Sequence, residues 1–574
     1  PTGVRLNLKL DGDKAALLFS GRIDTTAEIA QVSGRMELSL PNVAAAQRLL
    51  IQGAQPPAVL AQSLLIKASL EATAKTVAIN DIDLTFGPLQ ASGAINASLG
   101  DAPSYDVALA VGRLDLDRLL KGITDAEKAK AVRSTSKAGG QKKSSAVPTI
   151  PALPAIPGNV TASLAITIEG LKYRSGVVSQ VQLDASIEDG ALRLERLSAL
   201  LPGGSDLRLS GDGSSVDGTP QFDGKVELAS NNMRGLLGWL DANPTSIPAG
   251  RLANLVLTSN FNITQQQAQI SNMNLRLDGT TVEGAATVLL QARPSFGLAL
   301  NIDRINLDGY LPTKSDVAKS SASKEDAAKV KEKTGAGTAP KVGPLALLDQ
   351  FDANIVLNIG DLTYNAAPIR GVSVELGLAA GILAVRRAAV RDLAGARLTF
   401  SGGAENFSGN AKGKGKLRVR AKYVDGLARL AGIELPVPPK RLRGLTLDGT
   451  VSGDMARLNF DLTTSLSGLR GTANGQLSNL AGPTSVSASV PASGPASVPM
   501  SVDLNLALGH GSLAGLSRTF ELGIKPLPRA DTKLSLQGKV RGKFDALAVD
   551  LTAALAGGEI QVKGRIDKPD SIGT

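Results

Sequence analysis

The chain repeats itself at a period of 191 residues, and this constrains its fold more than any other feature. Leu171-Lys172-Tyr173 returns as Leu362-Thr363-Tyr364, Gly190 as Gly381, Gly211 as Gly402, Gly93 as Gly284, and Gly284 again as Gly475. Long stretches between these anchors keep register without a gap, so the period belongs to the architecture. A unit repeated in this way stacks on its neighbours, giving an elongated body with one continuous buried surface instead of a single enclosed pocket. The period assigns residues 1–33 to incoming β-strands of a preceding unit, 34–224 to a first unit, 225–415 to a second, and 416–574 to a partial, altered third.

Within each unit the hydrophobic period is two. Val181, Leu183, Ala185 and Ile187 alternate with Gln182, Asp184, Ser186 and Glu188, as in a strand with one buried face. Asp189-Gly190 then supplies the residue pair that a type I′ hairpin turn favours. A two-residue turn there sets Ile187 against Leu192 and Ala185 against Leu194, all on one face. One period later the same hairpin is rebuilt around Ala380-Gly381, with Leu378 facing Leu383 and Leu376 facing Val385. Upstream, Val160, Ala162, Leu164, Ile166 and Ile168 form another alternating strand, matched by Ile355, Leu357 and Ile359. Turn signals about every ten residues predict an all-β chain of about fifty strands. The series closes with "LDLDRLL" at 114–120 and "INLDGYL" at 305–311, each predicted to make a short helical turn. Asp115 and Asp117 on one face suggest a calcium or general-acid pair. Asn306 at the first carboxylate's position in the second copy favours a polar outer face closing the unit.

The formal charge of +10 is concentrated in two places. Residues 121–146 carry net +5 and 313–341 net +3, in Ala/Ser/Lys-rich stretches without large apolar spacing. The segments 122–158 and 313–349 therefore read as disordered inserts that leave the same corner of the unit. The remaining body lacks the interleaved aromatic and basic residues that stack bases, so no nucleic-acid partner is expected. The absence of cysteine excludes thiolate catalysis and disulfides. His510, the single histidine, stands between Gly509 and Gly511 and reads as a turn residue. No apolar run approaches the ~18–20 residues that span a bilayer as a helix. No catalytic, cofactor or metal residues are nominated, and the chain is not expected to be an enzyme.

The tract Leu183–Gly213, with "IEGLKY" at 168–173 and the closing "LDLDRLL", resembles the C-terminal repeat region of the AsmA family of bacterial envelope proteins. "IGDLTY" at 359–364 and "AGARLTFSGG" at 394–403 keep the same order in the second copy, and 536–567 resembles a third opening. In that third copy a Pro/Ser/Ala-rich stretch, 487–502, replaces the closing motif. The resemblance implies an elongated, curled antiparallel β-sheet forming a repeating β-groove, in a periplasmic protein anchored to the inner membrane through an N-terminal segment outside this chain. It implies a bridge that conducts phospholipids between the inner and outer membranes of the Gram-negative envelope and supports outer-membrane biogenesis. The implied partners are phospholipid acyl chains, the two membranes and envelope proteins. The alternatives are a non-transporting scaffold or regulator of outer-membrane protein assembly, or a structural β-solenoid rod. On the transport reading, the groove lining falls on Leu164, Ile166, Ile168, Val181, Leu183, Ile187, Leu192 and Leu194 in the first copy. In the second it falls on Ile355, Leu357, Ile359, Leu376, Leu378 and Leu383.

Overall fold

The alternation read from the sequence becomes hydrogen-bonded strand in the structure, a computed structural model. It describes residues 4–12, 15–24, 30–50, 60–118, 158–216, 219–242, 247–311, 344–431, 437–438, 441–454, 456–478, 500–521, 533–543, 546–555 and 558–567. The chain divides into two units, Pro1–Gln291 and Ala292–Thr574. The first holds β1 (Val4–Gly12), β2 (Ala15–Asp24), β3 (Gln31–Leu40), β4 (Leu64–Ala72), β5 (Thr76–Phe86), β6 (Leu89–Ser98), β7 (Ser104–Asp115), β8 (Thr161–Tyr173), β9 (Gly176–Glu188), β10 (Ala191–Leu201), β11 (Ser205–Val216), β12 (Thr219–Ser230), β13 (Leu255–Thr264), β14 (Gln267–Leu277) and β15 (Thr280–Leu289). The second holds β16 (Ser295–Asn306), β17 (Asp352–Tyr364), β18 (Ala367–Ala379), β19 (Ile382–Leu393), β20 (Ala396–Glu405), β21 (Lys412–Tyr423), β22 (Arg443–Asp454), β23 (Arg457–Leu466), β24 (Leu469–Ser478), β25 (Ser501–His510), β26 (Leu534–Lys543), β27 (Ala546–Leu555) and β28 (Gly558–Asp567).

In each unit every strand pairs with the next in chain order. All these pairings are antiparallel except β7 with β8 and β16 with β17, which are parallel. The repeat is visible in the bounds themselves: β8 and β17, like β9 and β18, begin and end 191 residues apart. The described strands number 28, where ten residues per strand predicted about fifty. Many strands run to 12 or 13 residues, and turns, helices and long connections take up the rest.

The parallel pairs also set how the inserts connect their strands. A parallel neighbour can be reached only by a crossover that returns to the starting end of the strand. The connections 116–160 and 307–351 therefore join opposite ends of their strands. Most of both inserts lies outside the described residues.

Four short helices follow β3, β12, β21 and β25: α1 (Val43–Leu50), α2 (Met233–Trp239), α3 (Asp425–Ala431) and α4 (Leu513–Phe520). At seven or eight residues, helices like these are marginal alone and depend on caps and packing. Asn42, Asn232 and Ser512 supply caps, their side-chain oxygens accepting the N–H of Ala45, Gly235 and Gly515 at 3.0 Å each. His510 belongs to the last of these caps, accepting the Ser512 N–H at Nδ1 at 3.1 Å. Leu236 of α2, and Leu513 and Leu516 of α4, are buried.

The core gathers at strand ends, under helices and loops. Ala396, Val419 and Ala421 pack with Leu427 of α3, and Val424, Val437 and Leu442 with Phe520 of α4. The anchoring glycines have a packing reason as well. Gly211 pairs with Gly224 and Gly402 with Gly415. A Cβ on Gly211 would stand 2.4 Å from the Asp223 carbonyl oxygen, and one on Gly402 2.3 Å from that of Lys414. The strands approach too closely there for any side chain.

Candidate functional site

The nominated residues come together as cross-strand rows. In the first unit, Val107 of β7 pairs with Leu164 of β8, which pairs with Ala185 of β9 and so to Leu194 of β10. The next row is Leu109, Ile166, Leu183, Leu197 and Leu209, and a third runs Val111, Ile168, Val181. Ile187 pairs with Leu192 beside the turn, as the sequence predicted. In the second unit the rows are Leu298, Ile355, Leu376, Val385 and Leu300, Leu357, Val374, Ala388, with Ile302 beside Ile359. Because successive residues of a strand point to opposite faces, each set of rows forms one apolar face.

That face is not closed over. Leu164, Ile166, Ile168, Val181, Leu183, Ile187, Leu192 and Leu194 are all half-buried, as are Ile355, Leu357, Ile359, Leu376 and Leu383. Their neighbours along the chain, such as Ser163, Thr167, Gln182, Asn354 and Asn358, are exposed. Leu378 differs: it is 4 % exposed and packs with Ala353, Phe407, Leu348 and Phe351 at the strand end, as core. The sequence reading missed Val107, Leu109 and Val111, and likewise Leu298, Leu300 and Ile302. Their period-two spacing was the signal that could have found them.

Both turns have the type I′ backbone, with φ of 50° and 75° at Asp189-Gly190 and the same values at Ala380-Gly381. Past the first turn the predicted alternation breaks, because Leu194-Glu195-Arg196-Leu197 places two charged residues in succession. A β-bulge absorbs the extra residue, so that Leu197 still faces Leu183. Val385-Arg386-Arg387-Ala388 carries the same irregularity in the second unit.

The closing motif does hold a carboxylate with a defined task. Asp117 accepts the backbone N–H of Arg174 at 2.9 Å and of Ser175 at 3.3 Å. Asp308 accepts those of Asn365 at 2.7 Å and Ala366 at 2.8 Å. These turn residues all have positive φ, between 48° and 61°, although none is glycine. The carboxylate thus pins a conformation that costs L-residues energy. Asp115 accepts the Arg118 N–H at 3.0 Å, and this bond, with Lys172 nearby, holds its carboxyl below the ordinary range against the opposing effect of desolvation.

On the polar face the charges pair laterally: Arg196 with Asp184 at 2.8 Å, Arg193 with Asp212 at 3.1 Å, and Arg386 with Glu375 at 3.2 Å. Exposed pairs of this kind contribute about 0–1 kcal/mol each, so they orient the face more than they hold it. Asp352 is more constrained. Arg293 Nε donates to it at 2.6 Å and the Ala380 N–H at 2.9 Å, which lowers its carboxyl from the ordinary range. Among the described residues no helix is long and apolar enough to cross a membrane.

Residues 229–395, from the end of β12 through β19, match the model of the AsmA family. No curated protein matches the chain.

Proposed function

We propose, from the premise that this is an AsmA-family protein, that the half-open apolar faces carry phospholipid acyl chains between the two membranes of a Gram-negative envelope, as part of outer-membrane biogenesis. On this reading the chain works in the periplasm, anchored at the inner membrane by a segment outside it. The observation that carries the proposal is the half-burial of the β8–β10 and β17–β19 rows, while full burial within these six strands falls near their ends, at Val178, Ala199, Ala353 and Leu378. A solenoid rod would bury the same side chains completely, so this observation weighs against it.

The energetics give the face a purpose. Each exposed CH₂ costs about 0.8 kcal/mol, so a tail of about 15 carbons faces more than ~10 kcal/mol in water. Leu, Ile, Val and Ala offset most of this without an aromatic pocket in which a tail would lodge. A single Asp in the row puts a charge where tails must pass, at several kcal/mol.

The test compares Ile166→Asp and Leu357→Asp with Thr167→Asp and Asn358→Asp in the full-length parent, at equal protein levels. Growth complementation, and native mass spectrometry for co-purified lipid, are the readouts. Loss confined to the apolar-face variants supports transport. Equal activity from both sets, with no lipid bound, would leave a scaffold for outer-membrane protein assembly.

A further inference from the structure

The polar face of β21 carries a charge pattern that the fold does not require. Its six alternating positions are Lys412, Lys414, Lys416, Arg418, Arg420 and Lys422, while the intervening Gly413, Gly415, Leu417, Val419 and Ala421 take the other face. The row spans about 33 Å, with cations about 6.6 Å apart. The strand in the same place one period earlier, β12, has Gln221, Asp223, Lys225, Glu227 and Ala229 at the first five of these positions. The pairing registers show the equivalence, since Gly211 meets Gly224 in one unit and Gly402 meets Gly415 in the other. Glu195 of β10 is likewise replaced by Arg386 of β19. Backbone and register are kept while three acids give way to cations.

A shallow cavity of about 610 Å³ on this face is lined by four cations, Arg386, Arg387, Lys416 and Arg418, against two carboxylates, Asp448 and Asp461, with hydroxyl, small and apolar neighbours. In the first unit a cavity of about 830 Å³ has two cations, Arg193 and Lys225, against three carboxylates, Glu195, Asp212 and Asp223, together with Leu194, Phe261 and polar or small neighbours. Asp448 engages Arg418 at 2.7 Å and Arg420 at 2.6 Å. Lys414 and Lys416 face Ser452, Gly403, Ser401 and Thr450 across the ladder, whereas Lys412 stands opposite Glu405 and Asp454; among the described residues none of the three lysines has a carboxylate within ion-pair distance.

We propose that the β21 face docks on a membrane surface bearing anionic headgroups. It lies opposite the apolar face and does not depend on the transport reading. Magnitude decides against a small solute, because each of these exposed cations attracts a single anion only weakly in water. A surface presenting many anions engages the whole row, each cation multiplying binding by about fivefold. Composition decides against a protein partner, because such interfaces centre on aromatic or apolar anchors and are poor in Lys. The polar rows of this face offer lysines, arginines, hydroxyls and a few carboxylates, with no aromatic or apolar anchor among them.

The experiment uses the full chain, including both basic inserts. Co-sedimentation is measured with vesicles of neutral lipid, with vesicles containing about one-third anionic lipid, and with soluble polyglutamate. The variant is K412Q/K414D/K416Q, whose first two changes copy Gln221 and Asp223 of β12; its fold is checked by thermal unfolding. The expected result is binding to anionic vesicles alone, weakened at least twentyfold in the variant and abolished by high salt. The proposal fails if the variant binds like the original, which would assign the attraction to the inserts, or if the original ignores anionic vesicles. It also fails if polyglutamate competes as well as vesicles, which would point to an acidic protein.

Discussion

The block β7–β10 of the first unit and the block β16–β19 of the second share a backbone almost residue for residue, yet few of their side chains agree. Both have the parallel pair, the bulge after the hairpin turn, the Asp-pinned turn and a half-open apolar face. Identity is lost on the polar face and in the contacts at strand ends. Asp352 is clamped by Arg293, whereas Thr161 stands at the same place in the first unit. Asp115 caps the closing turn where the second unit has Asn306, whose Oδ1 accepts the Asp308 N–H at 3.1 Å. The difference teaches that the architecture is specified by turns, bulges and inward residues, and that the outer face can take up other tasks, as β21 does.

The most severe way to break the likeness is to shorten a crossover. β7 has 12 residues and is about 40 Å long, so the connection 116–160 needs at least about a dozen extended residues to return. Removing 123–152 should leave β8 in place. Removing 119–157 should abolish the β7–β8 pairing, read as lost hydrogen-exchange protection from β8 onward in the first unit, with β17 unaffected.

A smaller effect is expected at the pinned turns. Asp117→Ala and Asp308→Ala should each cost about 1–2 kcal/mol in denaturant unfolding, since two backbone N–H groups lose their acceptor. Arg174→Asn with Ser175→Gly should recover much of the first loss, because these residues accept positive φ. Failure of this rescue would mean that Asp117 acts through something other than the turn.

The smallest effect sharpens the comparison by pH. A carboxyl held below its ordinary value adds stability that is present above about pH 4 and lost as pH falls through its folded-state value. Between pH 5 and 3, amide protection factors, corrected for the intrinsic slowing of exchange in acid, should therefore fall near Ala380 in the second unit, where Asp352 is held down mainly by Arg293. In the first unit protection should fall near Arg118, where Asp115 accepts the backbone bond. Asp352→Asn should remove the first response and leave the second.

The strands, the hairpin registers at Asp189-Gly190 and Ala380-Gly381, and the inward rows were legible because period two and turn chemistry are local. The parallel pairs were not, because a connection's direction leaves no mark on alternation. The bulges were written as Glu195-Arg196 and Arg386-Arg387, two charges in succession, which resemble noise unless the partner strand is known. Asp117 showed only a carboxylate near a strand end. Its partners, Arg174 and Ser175, are 57 and 58 residues away and meet it only once β8 lies parallel to β7.

The central claim is that the apolar rows contact lipid tails. A photocrosslinking residue placed at Ile166 or Leu357, and separately at Thr167 or Asn358, tests it in cells with radiolabelled phospholipid. The account predicts labelled adducts from the first pair of sites and none from the second. Adducts at equal yield from both faces, or from neither, would contradict it.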